Sequence, residues 1–179
     1  MRSLTPDDAT LILATTGLPS LKAEHAVTKS VIAAIPPEKA DYRPDDIVRS
    51  AGDLAWHIVA AECRFLEAVA SGAFDYNGPV RPESVRTPAE IVDWYAERFG
   101  KNVDRLKQAT GDQLVKLIDF RGRFQFPAVV YVQIGLNHSI HHRGQLSMYL
   151  RPMGAKVPSI YGESYDARVA REKAQAPSA

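Results

Sequence analysis

Three of the five histidines of the chain lie within five consecutive positions, as His138, His141 and His142. They fall in a segment, from about residue 127 to residue 150, whose apolar spacing predicts one long helix. On a helix, His138 and His142 project from nearly the same face, and His141 also has a permitted spacing from His138. Two such imidazoles can hold one transition metal ion. The spacing therefore predicts a metal site and leaves either His141 or His142 as the second ligand.

The sequence around these histidines differs from H-E-x-x-H, the zinc-binding helix motif of metalloproteases. That motif places a glutamate directly after the first histidine, whereas Ser139 follows His138 here. The metalloprotease interpretation therefore fails, and a metal site depends on a further ligand elsewhere in the chain. The other two histidines are His25 and His57. A lone histidine is more often a hydrogen-bonded structural residue than a ligand, and we read His25 as structural or exposed.

Composition excludes several classes of protein. The 179 residues are 45% hydrophobic and 24% charged, which indicates one soluble globular domain with a substantial core. The formal net charge is +1 and no cluster of Lys or Arg stands out, so nucleic-acid binding is not expected. With Cys63 as the only cysteine, an internal disulfide is impossible. No signal-peptide pattern or long apolar run occurs, and we expect a cytoplasmic protein without a membrane segment.

Capping patterns divide the chain into predicted helices. A Ser or Thr followed by Pro or an acidic residue marks a helix start at Thr5, Ser50 and Thr87. Gly17 and Pro19 predict an interruption of the first segment, after which a helix begins at Ser20 and runs to about residue 35. Residues 114–126 give weak signals that allow a small hairpin, and Phe126–Pro127 is expected to open the last long helix.

Four of these segments are long and carry apolar residues at helical spacing. Such helices most simply bury their apolar faces against one another, so we predict an all-α four-helix bundle with irregular loops between the helices. We expect a single domain over residues 1–165 and a polar C-terminal tail over residues 166–179.

Four stretches of this chain resemble the DinB family, the DinB/YfiT-like metal-binding four-helix bundles. They are residues 36–44 (PPEKADYRP), residues 54–58 (LAWHI), residues 137–146 (NHSIHHRGQL) and residues 158–162 (PSIYG). The most specific of them is the pattern His138-x-x-x-His142-Arg143-Gly144-Gln145. The resemblance implies a divalent metal held by His57, His138 and His142. It favours His142 over His141 because Arg-Gly-Gln follows His142 directly, and it leaves His141 beside the site or at an interface.

The resemblance also implies cofactors and partners. Nickel or zinc is the expected metal, with iron or manganese as alternatives. Relatives in the wider superfamily transfer or isomerise groups with low-molecular-weight thiols such as bacillithiol or mycothiol, which makes such a thiol a candidate cofactor here. A homodimer is expected because dimers are common in the family. Three imidazoles leave a coordination position open, which can hold water with its pKa lowered to roughly 7 or a substrate thiolate. The resemblance assigns no catalytic residue and no substrate.

Other residues near these motifs allow a functional or a structural interpretation. Asn137, Gln145 and Tyr161 either orient ligands and line the pocket or have ordinary capping and packing roles. Arg143 pairs with an acid across the bundle or between subunits, or is a solvated charge. Glycine is unfavourable inside a helix, so Gly144 indicates a place where another helix approaches closely, either within the chain or at a subunit contact. Cys63 is read as core packing, because six helical residues turn it away from His57.

Three functions are compatible with these observations. The first is a metal-dependent enzyme, with thiol transfer slightly ahead of hydrolysis, acting on an unidentified small molecule. The second is a non-catalytic metal-binding protein of a stress or damage response, since no acid–base residue has motif support. The third is a structural homodimer in which the histidines are incidental.

Overall fold

The computed structural model describes residues 3–175, so residues 1–2 of the predicted domain and 176–179 of the predicted tail lie outside it. In chain order the helices are α1 (Pro6–Ile12), α2 (Leu18–Ala33), α3 (Ala51–Ser71), α4 (Pro88–Lys107), α5 (Gly111–Val115), α6 (Val130–Leu150) and α7 (Tyr165–Gln175). Strands β1 (Leu117–Phe120) and β2 (Phe124–Pro127) form a two-stranded antiparallel sheet between α5 and α6. The described chain is therefore mostly helical. None of its helices is long and apolar enough to cross a bilayer.

The predicted helix starts at Thr5, Ser50 and Thr87 are confirmed. Each hydroxyl accepts a hydrogen bond from the backbone N–H three residues later, which satisfies one of the free donors of the first helical turn. At the other end of α3, Gly72 adopts φ 80°, a left-handed conformation that glycine tolerates without strain. Local sequence thus fixes both ends of the helix that carries His57.

The predicted interruption between the first two helices is wrong. A π-helical turn, Leu13–Gly17, joins α1 directly to α2, and Ser20 lies inside α2. Pro19 sits in the first turn of α2, where its missing N–H is tolerated. The wider π turn before it lets the chain stay helical through Gly17.

The hairpin that the weak signals allowed is present. Phe120 pairs with Phe124 next to the turn, where Arg121 and Gly122 both have positive φ. The expected start of the last long helix at Phe126–Pro127 is wrong, because these residues belong to β2 and the helix begins at Val130. These residues form a strand because they pair with β1. A helical pattern read from the residues themselves does not show that pairing.

Each of the four long helices packs against two of the others. α3 lies against α4 and α6, and α2 lies against the same two helices from the other side. Many of the side chains between them are apolar and fully buried, such as Leu21, Ile58, Leu66, Ile91 and Leu146. This arrangement places α3 beside α6 along most of their lengths.

A glycine allows α3 and α6 to approach each other closely. A Cβ atom added at Gly135 of α6 would lie 2.9 Å from Cβ of Phe65 on α3, which is closer than real Cβ atoms come. Gly144 shows no such crowding, since no atom lies within 4 Å of an added Cβ among the described residues. The expectation of a close approach at Gly144 is therefore wrong within this chain, and Gly135 is the residue that meets a neighbouring helix.

We expect Gly135→Ala to make the metal-free protein roughly 2 kcal/mol less stable than Gly144→Ala does. Both changes add the same methyl group inside α6 and gain about 1 kcal/mol of helix propensity, so their difference isolates the contact with Phe65. The measurement is urea unfolding in the presence of a chelator. Equal unfolding free energies for the two variants would contradict the proposed close approach.

Candidate metal centre

Histidine side chains from α3 and α6 lie close together beside the contact between the two helices. His57 comes from α3, His138 and His142 come from α6, and one ligand nitrogen from each lies within 4.8 Å of the other two. The Nε2 atoms of His57 and His142 are 3.2 Å apart. The structure thus brings together three residues that are up to 85 positions apart in the chain.

His141 does not join this group. It is exposed, and its Nε2 lies 3.2 Å from Nε2 of Gln145. His142 instead presents Nε2 to His57, so the geometry groups His142, and not His141, with His57 and His138.

Gln145 orients one of the three imidazoles. Its Oε1 lies 2.7 Å from Nδ1 of His142. Because an amide oxygen only accepts hydrogen bonds, Nδ1 is the protonated nitrogen, and Nε2 is left with a lone pair facing His57. Gln145 is one of three polar residues that the sequence suggested as supports. Asn137 bonds to Gln133 instead.

Burial favours the uncharged form of all three histidines. It is the main cause that lowers the pKa of His57 to about 4 and the pKa of His138 to about 4, with nearby positive charge adding to the effect. Burial also lowers the pKa of His142, against the opposing effect of its hydrogen bond to Gln145. Neutral imidazole is the form that coordinates a metal ion.

These residues fit the metal that the family resemblance implies. Nδ1 of His138 is buried and has no hydrogen-bond partner within the described part of the chain. No carboxylate or thiol of residues 3–175 completes the group, so the donor set is three neutral nitrogens. Imidazole nitrogen suits zinc, nickel, copper and iron, and three such ligands with an open position are typical of catalytic zinc sites.

Two clefts open beside the histidines. The larger, of about 800 Å³, includes His142 and Gln145 in its wall, and the smaller, of about 310 Å³, includes His57. Arg49 and Asp53 line both clefts. The sequence analysis gave Arg49 no role and used Asp53 only as the acidic residue of the helix start at Ser50, although these two residues precede His57 by only eight and four positions.

A buried ion pair lies where α6 packs against α2. Arg143 is 1% exposed, and its guanidinium lies 2.6 Å from a carboxylate oxygen of Glu24 on α2. It also donates to the hydroxyl of Tyr161 at 2.7 Å. Of the readings left open by the sequence, pairing across helices is therefore the one observed. Tyr161 bonds to this pair and contacts none of the three histidines.

A buried carboxyl on α3 also escaped the sequence analysis. Glu62 is 0% exposed and accepts a hydrogen bond from the hydroxyl of Tyr95. Burial raises the pKa of Glu62. The neighbouring Cys63 is buried as predicted, and burial raises the pKa of its thiol. An acidic residue within an apolar helical stripe was the available signal for Glu62.

His25 lies apart from the site and is structural. Its ring stacks on Phe99 with 3.8 Å between centroids and lies 4.2 Å from the ring of Tyr95. Burial, with a smaller effect of Lys29, lowers the pKa of His25 to about 4.

The fold and the site together define a class: mostly helical proteins that hold three histidines between two long antiparallel helices. The profile of the DinB family matches residues 13–173. The chain therefore belongs to the DinB family.

Similar proteins come from Bacillus and Exiguobacterium. The uncharacterized protein YrdA of Bacillus subtilis strain 168 is 34% identical over 114 residues, which are 62% of this chain and 65% of YrdA. The uncharacterized protein YjoA of the same strain is 28% identical over 72% of this chain and 82% of YjoA. The match thus spans just under two thirds of the length of YrdA.

Solved structures agree with the fold. A DinB-like protein from Bacillus cereus ATCC 10987 has a TM-score of 0.67 at 26% identity, covering 81% of this chain and 95% of that one. The YjoA structure has a TM-score of 0.69 at 24% identity, covering 82% and 98%. A member from Exiguobacterium sibiricum has a TM-score of 0.58 at 22% identity, covering 86% and 98%. Those below 25% identity support the fold alone.

We expect Gln145→Ala to weaken divalent-metal binding by about 10- to 100-fold, because His142 loses the acceptor that fixes its tautomer and ring orientation. Asn137→Ala removes a similar amide from the same helix but touches no histidine, so its affinity should stay within twofold of the parent. Competition with a chromogenic chelator gives both dissociation constants. Equal losses in the two variants would contradict an orienting role for Gln145.

We expect acid to destabilise the metal-free protein partly through His25. Its pKa is about 4 in the folded protein and near 6.5 in the unfolded chain, so between these values the unfolded chain binds the extra proton. Stability through this group is therefore lost as pH falls below 6.5. His25→Phe should reduce proton uptake on unfolding by up to one proton, measured from urea unfolding at pH 7.5, 6 and 5. Parallel curves for parent and variant would refute this assignment.

Proposed function

We propose that this protein is a metal-dependent enzyme in which His57, His138 and His142 hold one divalent transition metal ion. A thiol-dependent transferase is the leading reaction class, ahead of a hydrolase. The observation that carries the proposal is a cleft of about 800 Å³ that includes His142 in its wall. A structural metal site is usually closed by four protein ligands, whereas a three-ligand site beside a substrate-sized cleft leaves room for a reacting molecule.

The chain would contribute binding and orientation to such a reaction. The three neutral imidazoles would supply the donor atoms, and Gln145 would keep His142 in the tautomer that leaves Nε2 unprotonated. A divalent ion held there would supply Lewis acidity toward a thiol or water. Asp53 is a poor general base, because its two oxygens face Arg43 and Arg81 at 3.6 Å each.

That pairing of Asp53 also favours a second candidate function, a metal-binding protein of a stress or damage response that catalyses nothing. Asp53 is the one carboxylate that lines the clefts within the described residues, and it faces two arginines. A site without a free general base can bind a metal ion without catalysing a reaction.

The finer expectations from the family resemblance belong to the same proposal. The four long helices form a four-helix bundle, residues 1–165 act as one domain with a tail over 166–179, and the protein is a cytoplasmic homodimer. Nickel or zinc is the resident metal, with iron or manganese as alternatives. The mutual contacts of α2, α3, α4 and α6 support the bundle. Partly exposed Phe124 and Phe126 on the hairpin offer an apolar surface for a second subunit.

We expect the purified protein to carry about one metal ion per chain by elemental analysis, and His138→Ala to carry none. With free metal at one hundred times the dissociation constant, binding should raise the unfolding free energy by about 2.7 kcal/mol. His141→Ala is the matched control and should keep both the metal and the stabilisation. A metal-free parent after loading and desalting would contradict both candidate functions and leave a structural homodimer.

The same preparations separate the enzyme from the metal-binding protein. Loaded parent and His138→Ala are assayed with a panel of low-molecular-weight thiols and electrophiles, and with ester and amide substrates. Turnover that requires His138 supports the enzyme, and the thiol or water dependence of the product identifies its class. Metal binding without any turnover above the variant would favour the non-catalytic function.

A further inference from the structure

The walls of the two clefts beside the histidines carry positive charge. Arg43, Arg49 and Arg64 line them, and Asp53 is the one acidic residue among the described residues that do so. The lining therefore has a formal charge of +2, although the whole chain has a net charge of only +1. Positive walls raise the local concentration of anions at a cleft.

Two of the three arginines already have partners. Arg43 donates to the carbonyl of Val48 at 2.9 Å and faces Asp53 at 3.6 Å. Arg64 donates to the carbonyl of Gly78. Their guanidinium groups are therefore partly held by the protein itself.

Arg49 differs from both. It is exposed at the junction of the two clefts and makes no side-chain hydrogen bond or ion pair with any residue of the described chain. A free guanidinium keeps its five N–H donors, in a planar arrangement that matches two oxygens of a carboxylate or phosphate. No protein group competes with a ligand for Arg49.

We propose that the substrate of the three-histidine site carries a carboxylate or phosphate group that binds Arg49 while its reacting group lies at the histidines. This proposal rests on the function proposed above. Arg49 borders the cleft of His142 and the cleft of His57, so a small molecule anchored there reaches the histidines from either side. The larger cleft is of the size that holds a small metabolite.

The wall of the larger cleft also has an apolar surface, against which the rest of the ligand can pack. Ile47 is 93% exposed and Met148 is 74% exposed, and both line the larger cleft. Large apolar side chains this exposed, beside charged groups, are a common feature of ligand sites. The substrate class is therefore a small organic anion with a non-polar portion.

Tryptophan fluorescence gives a test that needs no metal. The two tryptophans of the chain, Trp56 and Trp94, contact each other with 4.6 Å between ring centroids, and Trp56 lines the smaller cleft with Arg49. Metal-free protein is titrated with inorganic phosphate and, separately, succinate, at constant ionic strength set with chloride. The two titrations distinguish a phosphate ligand from a carboxylate ligand.

Arg49→Gln should raise the dissociation constant of the preferred anion about tenfold, the loss expected for one charge-assisted hydrogen-bonded contact. Arg105→Gln removes the same charge from an exposed position on α4, and its dissociation constants should stay within twofold of the parent. Arg105 lies eleven residues beyond Trp94 on that helix, about 16 Å further along the axis.

A second experiment tests binding to Arg49 and to the metal at the same time. Cobalt-loaded protein is titrated with 3-mercaptopropionate, 2-mercaptoethyl phosphate, neutral 2-mercaptoethanol and cationic cysteamine, and the thiolate–cobalt absorption band reports binding. Arg49→Gln should weaken the anionic thiols about tenfold and leave 2-mercaptoethanol within twofold. Comparing each thiol between parent and variant removes differences in thiol acidity.

The proposal is overturned if Arg49→Gln and Arg105→Gln behave alike in both experiments, or if Arg49→Gln weakens neutral and anionic thiols equally. These results are separate from a failure of the proposed function. Protein that binds no cobalt would remove the metal site, while the metal-free titration would still test Arg49.

Discussion

The contact between α3 and α6 at Phe65 and Gly135 is the constraint on which the histidine site depends. Gly135 lets the two backbones approach, and it lies one turn before His138 and two turns before His142. On the other helix, Phe65 lies eight residues after His57, so the two helices run antiparallel through this contact. Because helices are stiff over two turns, the approach at one point sets the distance between imidazoles at the next. Three histidines on two elements need this kind of fixed spacing if they are to meet.

The electrostatics of the site follow from its position at the rim of this contact. The histidines are buried enough to stay neutral at pH 7, and the loop before α3 brings arginines to the clefts outside them. Asp53 is shared between Arg43 and Arg81 and offsets part of that charge. The neutral histidine nitrogens and the arginines that line the clefts both favour an anionic ligand. Where α6 packs against α2, the buried ion pair of Arg143 and Glu24 links the two helices.

Sequence reasoning succeeded where the signal is local and failed where it is not. Caps at Thr5 and Thr87 were predicted because a hydroxyl and the N–H three residues later are neighbours in the chain. The π turn ending at Gly17 was missed, because a glycine near a proline indicates a break as readily as a widened turn. Gly144 drew attention because it lies in the motif, and Gly135 was not considered, because crowding around a glycine depends on the other helix.

The sequence by itself determined that His138 and His142 share one face of a helix, because a period of 3.6 residues is a property of the backbone. Joined to the family resemblance, it also named His57. Only the tertiary structure decided that His57 faces His142 and not His141, and that Arg49 lies unpaired beside them. Those facts depend on how two helices are rotated and spaced against each other, and the packing of many side chains sets that geometry, so no single stretch of sequence determines it.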